Sequence, residues 1–216
     1  MDVEFKPSIE TLGKYSYRPT KKEISNETIL FQSDLEYSSR HGGDLTRSII
    51  DQLFKNQLFL THYKNNQNVI VDTRSTLTMP GTYPSIPGWH CDDVPRSIRS
   101  PQPDLSMVSE NVQHFMVLLS DVDNVSSTEF VTEKVMIDVD PDRVWNSVDQ
   151  HLNQTKVKTG FLETGLIIRF DQKTIHRASP SLSKGWRLFF RLSLSHKPPR
   201  NEIRKQVQVY TTINGW

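Results

Sequence analysis

Apolar and polar positions along this chain recur with two different periods. From Asp44 onward, Leu45, Ile49 and Leu53 interleave with Ile50, Phe54 and Leu58 at helical spacing. The pattern predicts one amphipathic helix, capped by Asp44 and running to about residue 60. Beyond it the period shortens to that of strands, at 69–71 continuing through 74–78, then at 115–119, 128–132 and 134–137. Asp140 followed by Pro141 marks a second helix start, with Val144, Trp145, Val148 and Leu152 as its buried stripe. Strands at 166–170, around Ile175 and His176, and from Trp186 to Leu194 complete the series. The first forty residues, polar and interrupted by Pro7 and Pro19, are expected to wrap irregularly over a core made elsewhere.

Many short strands with two flanking helices predict a mainly β fold, a double-sheet jelly roll rather than a parallel α/β sheet. The 216 residues contain no repeat, low-complexity tract or linker, so 1–216 is read as a single domain. A hydrophobic content of 35% and a mean hydropathy of -0.53 describe a soluble protein with long polar loops. No apolar run approaches the roughly 18 residues that span a bilayer, and the N-terminus lacks the pattern of a secretory signal. With 26 basic and 25 acidic residues there is no broad basic field calling for nucleic acid or a membrane surface. Arg200, Arg204 and Lys205, interrupted by Glu202, read as a solvated surface. One cysteine, Cys91, rules out an internal disulfide and a cysteine-rich zinc site, and fits a reducing, cytoplasmic compartment.

Candidate chemistry sits at the end of a proline-, glycine- and aromatic-rich loop, 80–89, which runs into His90-Cys91-Asp92. In an extended strand, residues two apart project from the same face, so His90 and Asp92 share a side while Cys91 and Asp93 point away. The pair alone is a common accident, and its bland reading is a surface turn. A distal histidine, His176, follows the polar turn 171–173. Two imidazoles and one carboxylate are the parts of a facial triad, which suits non-haem Fe(II) because three coordination positions stay open.

The segment 186–193 divides by parity. Trp186, Leu188, Phe190 and Leu192 form an apolar face, and Arg187, Phe189, Arg191 and Ser193 the other. The plain reading exposes the arginine face to solvent, which leaves Phe189 in water between two charges. Turned inward, the same face offers fixed guanidinium charge to a carboxylate ligand.

Taken together, 88–92, 174–178 and 186–193, with 118–123 running into 128–130, resemble the Fe(II)/2-oxoglutarate-dependent dioxygenases. The resemblance spans about 75–195 and implies a double-stranded β-helix, a cupin-like barrel. It implies His90, Asp92 and His176 as iron ligands and Arg187 on the distal carboxylate of 2-oxoglutarate. Arg191 is placed near the iron end or the prime substrate, and Thr128 is a second contact to 2-oxoglutarate. The implied activity is that of an enzyme using Fe(II), 2-oxoglutarate and O2 to oxidise a substrate, with release of succinate and CO2. A small-molecule substrate fits the near-neutral charge best, while nucleic acid and protein substrates stay open.

Two other readings compete. A cupin-like enzyme or isomerase would keep the metal without 2-oxoglutarate, and a metal-free β-domain would be a binding module in which the triad is accidental. Tyr83, Ile86 and Trp89 read equally as a cover over the site or as outer core. Of Gln113 and His114, which have opposite parity, one faces the pocket or supports it from the core.

Overall fold

Polar edge strands account for the first departure from expectation. In the computed structural model, which describes residues 1–63, 68–96, 101–109 and 111–211, the N-terminal forty residues are ordered elements rather than an irregular wrap. They form β1 (Asp2–Phe5), β2 (Ile9–Lys14), α1 (Lys21–Ser25), β3 (Ile29–Phe31) and α2 (Leu35–His41). A capping box starts α1: the Thr20 hydroxyl accepts from the Glu23 backbone N–H, and the Glu23 carboxylate accepts from the Thr20 N–H.

The helix expected over 44–60 is two helices, α3 (Asp44–Phe54) and α4 (Gln57–Tyr63). The sequence spacing runs on through Leu58 and hides the break, but Leu58 is exposed and Phe59 is the residue that α4 buries. Asn56 makes the break by accepting the N–H groups of Leu58 (3.0 Å) and Phe59 (3.2 Å), a side-chain cap for α4. Asp44 is not the cap of α3. Gly43 occupies that position, and the buried Glu27 carboxylate takes the orphan N–H groups of Leu45 (2.8 Å) and Thr46 (3.2 Å).

The remainder of the chain is mainly strand. β4 (Asn68–Thr78), β5 (Gln113–Ser120), β6 (Thr128–Val131) and β7 (Val135–Asp138) precede α5 (Val144–Gln154). After it come β8 (Thr159–Phe161), β9 (Leu166–Asp171), β10 (His176–Ala178), β11 (Gly185–Ser195) and β12 (Glu202–Arg204). The second helix therefore starts later than Asp140-Pro141. The Asp140 side chain accepts the Asp142 N–H at 2.9 Å, closing a turn before the helix.

A five-stranded antiparallel sheet, in the order β2-β9-β5-β11-β4, forms one wall. A three-stranded sheet, β10-β6-β8, and the pair β1-β7 stand apart from it, and β12 pairs with β3. One face of the large sheet packs Leu188, Phe190, Leu192 and Leu194 with Val71, Phe115, Val117 and Leu119 against Ile49 and Leu53 of α3, Ile24 of α1 and Phe59 of α4. Each such side chain contributes about 1.5–3 kcal/mol when fully buried. The opposite face of the sheet meets the smaller one through Met116, Leu118, Ile168 and Phe170 against Phe130 and Leu162. The Phe130 and Phe170 rings meet edge-on at 5.4 Å. A third cluster, led by Val144, Trp145, Val148 and Leu152 of α5, covers the outside of the smaller strands. No helix among the described residues is long and apolar enough to cross a membrane.

Candidate metal centre

His90 and His176 are neighbours because their backbones pair. The His90 N–H donates to the His176 carbonyl at 3.0 Å, and the His176 N–H returns the bond at 2.9 Å. This is an isolated antiparallel bridge, which places both side chains on the same face. Their rings lie 4.8 Å apart. Two residues on, Asp92 directs Oδ2 to 3.2 Å from His176 Nε2 and Oδ1 to 3.9 Å from His90 Nε2. One donor atom from each of the three residues lies within 4.8 Å of the others.

Backbone carbonyls orient both imidazoles. His90 Nδ1 is 2.8 Å from the Gly88 oxygen, and His176 Nδ1 is 3.0 Å from the Thr174 oxygen. A carbonyl only accepts, so Nδ1 carries the hydrogen and the Nε2 lone pair is left for a ligand. Burial, and then His176, pulls the His90 pKa down to about 4, so the ring is neutral at pH 7. Burial by itself would raise the Asp92 pKa; the Arg191 guanidinium, followed by the two imidazoles, holds it well below the usual carboxylate range. Two imidazoles and one ionised carboxylate are the donor set that a hard-to-borderline divalent ion takes. Cis ligands about 2.1 Å from such an ion stand about 3 Å apart, a spacing that His176 and Asp92 already hold.

Neighbouring residues turn away, each for a visible reason. Asp93 adopts a left-handed backbone (φ 57°) and pairs with Lys197 at 2.9 Å. Cys91 enters the outer core beside Trp89 and Val94, where burial pushes its thiol well above the ordinary value. Trp89 is core as well, with the Arg177 guanidinium 4.1 Å from its ring centroid, so of its two readings the outer core is the one observed. Tyr83 is tied by backbone bonds to Tyr210, and Ile86 lines a second cavity next door. His114 is buried, with Nδ1 2.8 Å from the Ser193 hydroxyl and its ring 5.0 Å from Phe170; its donor atoms do not join the triad. Burial, with Arg191 next, lowers its pKa to about 4.

The arginine face of β11 points into a cavity that His90, Asp92 and His176 also line, together with Thr128, Met116 and Phe189. The two arginines differ in what they touch. Arg191 bridges two carboxylates, Asp92 through Nη1 and Asp72 through Nη2, the latter at 2.7 Å. Arg187 is buried and has no carboxylate partner among the described residues; its Nε donates to the Ser126 carbonyl at 2.9 Å. Burial, with Arg74 next, lowers its pKa to about 9, which leaves it charged at neutral pH.

Sequence reasoning missed the contribution of β4. Asp72 and Arg74 stand directly opposite Arg191 and Phe189 in the ladder and share their face. The available signal was parity: Asp72, Arg74, Thr76 and Thr78 alternate with Val71, Thr73, Ser75 and Leu77, so a polar face bearing two charges runs along the strand.

No protein-family model matches the chain, and no curated protein matches it. Among solved structures, it is similar to an N-substituted L-amino acid dioxygenase from Burkholderia ambifaria AMMD at 14% identity, covering 89% of this chain and 83% of that one, with a TM-score of 0.44. The same dioxygenase in complex with alpha-KG matches at 14% identity over 85% and 75% of the two chains, with a TM-score of 0.36. The nickel complex of the non-heme monooxygenase ThoJ matches at 11% identity over 80% and 75%, also at 0.36. At these identities and scores the likeness assigns neither an activity nor a ligand to this chain.

Proposed function

We propose that this chain is an Fe(II)- and 2-oxoglutarate-dependent oxygenase built on a double-stranded β-helix, acting on a small-molecule substrate in the reducing cytoplasm. The observation that carries the reading is the coincidence, in one cavity, of the His90–Asp92–His176 donor set with a buried guanidinium, Arg187, that has no carboxylate of its own. A buried cation met by a neutral carbonyl and an aromatic ring rather than by a carboxylate is costly, and an entering carboxylate reduces that cost.

When bound, iron with 2-oxoglutarate and O2 supplies oxidative decarboxylation to succinate and CO2 together with oxidation of the second substrate. The chain's own residues supply position and charge. Gly88 and Thr174 carbonyls fix the ring orientation and tautomer of His90 and His176. Arg191, anchored by Asp72, holds the Asp92 carboxylate ionised and aligned. Arg187 receives the distal carboxylate, with Thr128 of β6 lining the same cavity from the smaller sheet. Phe189 and Met116 make the cavity floor apolar and strengthen the charge interactions by excluding water.

The test is anaerobic addition of Fe(II) and 2-oxoglutarate to metal-free protein. A weak visible charge-transfer absorption should appear, and succinate should form once air is admitted. Absence of both removes the proposal.

A further inference from the structure

Resting on that reading, the charges of the cavity leave one cation over. Four guanidiniums line it: Arg74, Arg177, Arg187 and Arg191. Arg191 is matched by Asp72 and Asp92, and Arg177 by Glu129 at 2.8 Å. Neither Arg74 nor Arg187 meets a carboxylate among the described residues. Both instead approach the Phe189 ring, at 5.7 Å and 5.9 Å from its centroid. Among the described residues Arg74 donates otherwise only to the Ser85 hydroxyl, at 2.9 Å.

2-Oxoglutarate has two carboxylates, and in the proposed mode the one beside the keto group goes to the metal. A single distal carboxylate remains, and Arg187 suffices for it. Arg74 then stays half-buried with no carboxylate in contact, since Asp72 and Asp92 act on it only from a distance and are bonded to Arg191. That state costs free energy unless a second anion arrives. Its position says where that anion comes from. Arg74 also lines the neighbouring cavity, walled by Leu30, Phe31, Ile86, Arg204 and Tyr210, none of which is acidic. Arg204 stacks 3.3 Å from the Phe31 ring centroid there and is itself paired with Glu202 at 3.9 Å. Arg74 is therefore the cation of that cavity without a carboxylate in contact among the described residues. Arg74 thus lines both the metal cavity and the second cavity, and offers its fork of hydrogen-bond donors between them.

We propose that the prime substrate carries an oxyanion group, received by Arg74, with the rest of the molecule extending between the triad and the cavity bounded by Phe31, Ile86 and Tyr210. Guanidinium chemistry accepts carboxylate, sulfonate and phosphate alike. Thr73 and Arg74 come from the long strand β4, so the anchor is held by the ladder to β11 rather than by a loop.

The experiment uses full-length protein loaded with Mn(II) and kept anaerobic. Calorimetric titration with 2-oxoglutarate comes first, followed at saturation by phenylacetate, benzenesulfonate, phenyl phosphate and neutral phenylacetamide. At least one anion is expected to bind about 10- to 100-fold more tightly than phenylacetamide, the range of a charge-assisted hydrogen bond. Arg74→Gln should remove that preference while leaving 2-oxoglutarate affinity within about twofold. Arg74→Lys, which keeps the charge and loses the fork, should retain part of it and serves if the glutamine variant does not fold. Anions that bind no better than phenylacetamide overturn the inference. So does an Arg74→Gln variant that loses 2-oxoglutarate instead, since the co-substrate would then occupy both arginines and the oxygenase reading would stand. Failure of the wild type to bind 2-oxoglutarate at the first titration removes that reading, and this inference with it.

Discussion

The two faces of the five-stranded sheet are made from alternate residues of the same strands, yet different forces hold them. On the helix side, Leu188, Phe190 and Leu192 meet α3 and α4 in a dry apolar layer, where each side chain gains by leaving water. On the cavity side, Arg187, Phe189 and Arg191 alternate with them, and charge has to be matched group by group. Arg191 is matched by the protein itself, through Asp72 and Asp92. Arg187 and Arg74 are not. A buried cation satisfied internally is a structural device; one left without a carboxylate beside a donor triad is, in the proposed function, where a ligand binds. The helix face should therefore govern stability and the cavity face ligand binding, and substitutions should separate the two.

The largest effect is expected at the triad. His176→Ala or Asp92→Ala should reduce metal content and succinate formation to background, while leaving the far-ultraviolet circular dichroism unchanged. Retained stoichiometric metal in both variants would show that the three side chains do not share an ion. Next, Arg187→Gln should weaken 2-oxoglutarate binding about 10- to 100-fold, the range of a lost charge-assisted contact, with metal content preserved. One residue class away on the same strand, Phe190→Ala should do the reverse. A loss of about 3–5 kcal/mol in urea unfolding is expected, with 2-oxoglutarate affinity per folded molecule unchanged. If Arg187→Gln destabilises as much as Phe190→Ala and binds co-substrate normally, the contrast between the faces collapses.

A smaller effect concerns pH. His90 and His114 are each drawn down to about 4, chiefly by burial, from ordinary values near 6.5. Between those values the unfolded chain holds protons that the folded chain does not, so stability is complete above about pH 6.5 and is lost as pH falls towards 4. The urea midpoint of metal-free protein should drop between about pH 6.5 and 4.5, and His114→Gln should flatten that slope. A midpoint independent of pH across this window would mean that neither ring is held neutral by the fold.

Much of the scaffold was legible. The strand periods located β4, β5, β9 and β11, and the buried stripe of α5 was read from its spacing. What escaped was structure whose cause lies outside its own segment. β1 alternates over only four residues, with Val3 and Phe5 against Asp2 and Glu4, and β2 lacks the alternation; both are fixed by backbone bonds to β7 and β9. The first N–H groups of α3 are taken by a glutamate many residues upstream, and Asn56 ends the continuous helix although Leu58 continues its spacing in sequence. Near the site, Trp89 was undecided between cover and core because its burial depends on Arg177 and α5.

By itself, the order of residues determined the alternation within β11 and the spacing of His90 and Asp92, since both follow from a two-residue period that any extended chain obeys. It could not determine which cations would find a carboxylate. That depended on register: pairing β4 with β11 set Asp72 opposite Arg191 and Arg74 opposite Phe189, and the bridge between His90 and His176 brought distant imidazoles onto one face. Charges interact through space over a few ångströms, and only the folded chain decides which of them lie that close.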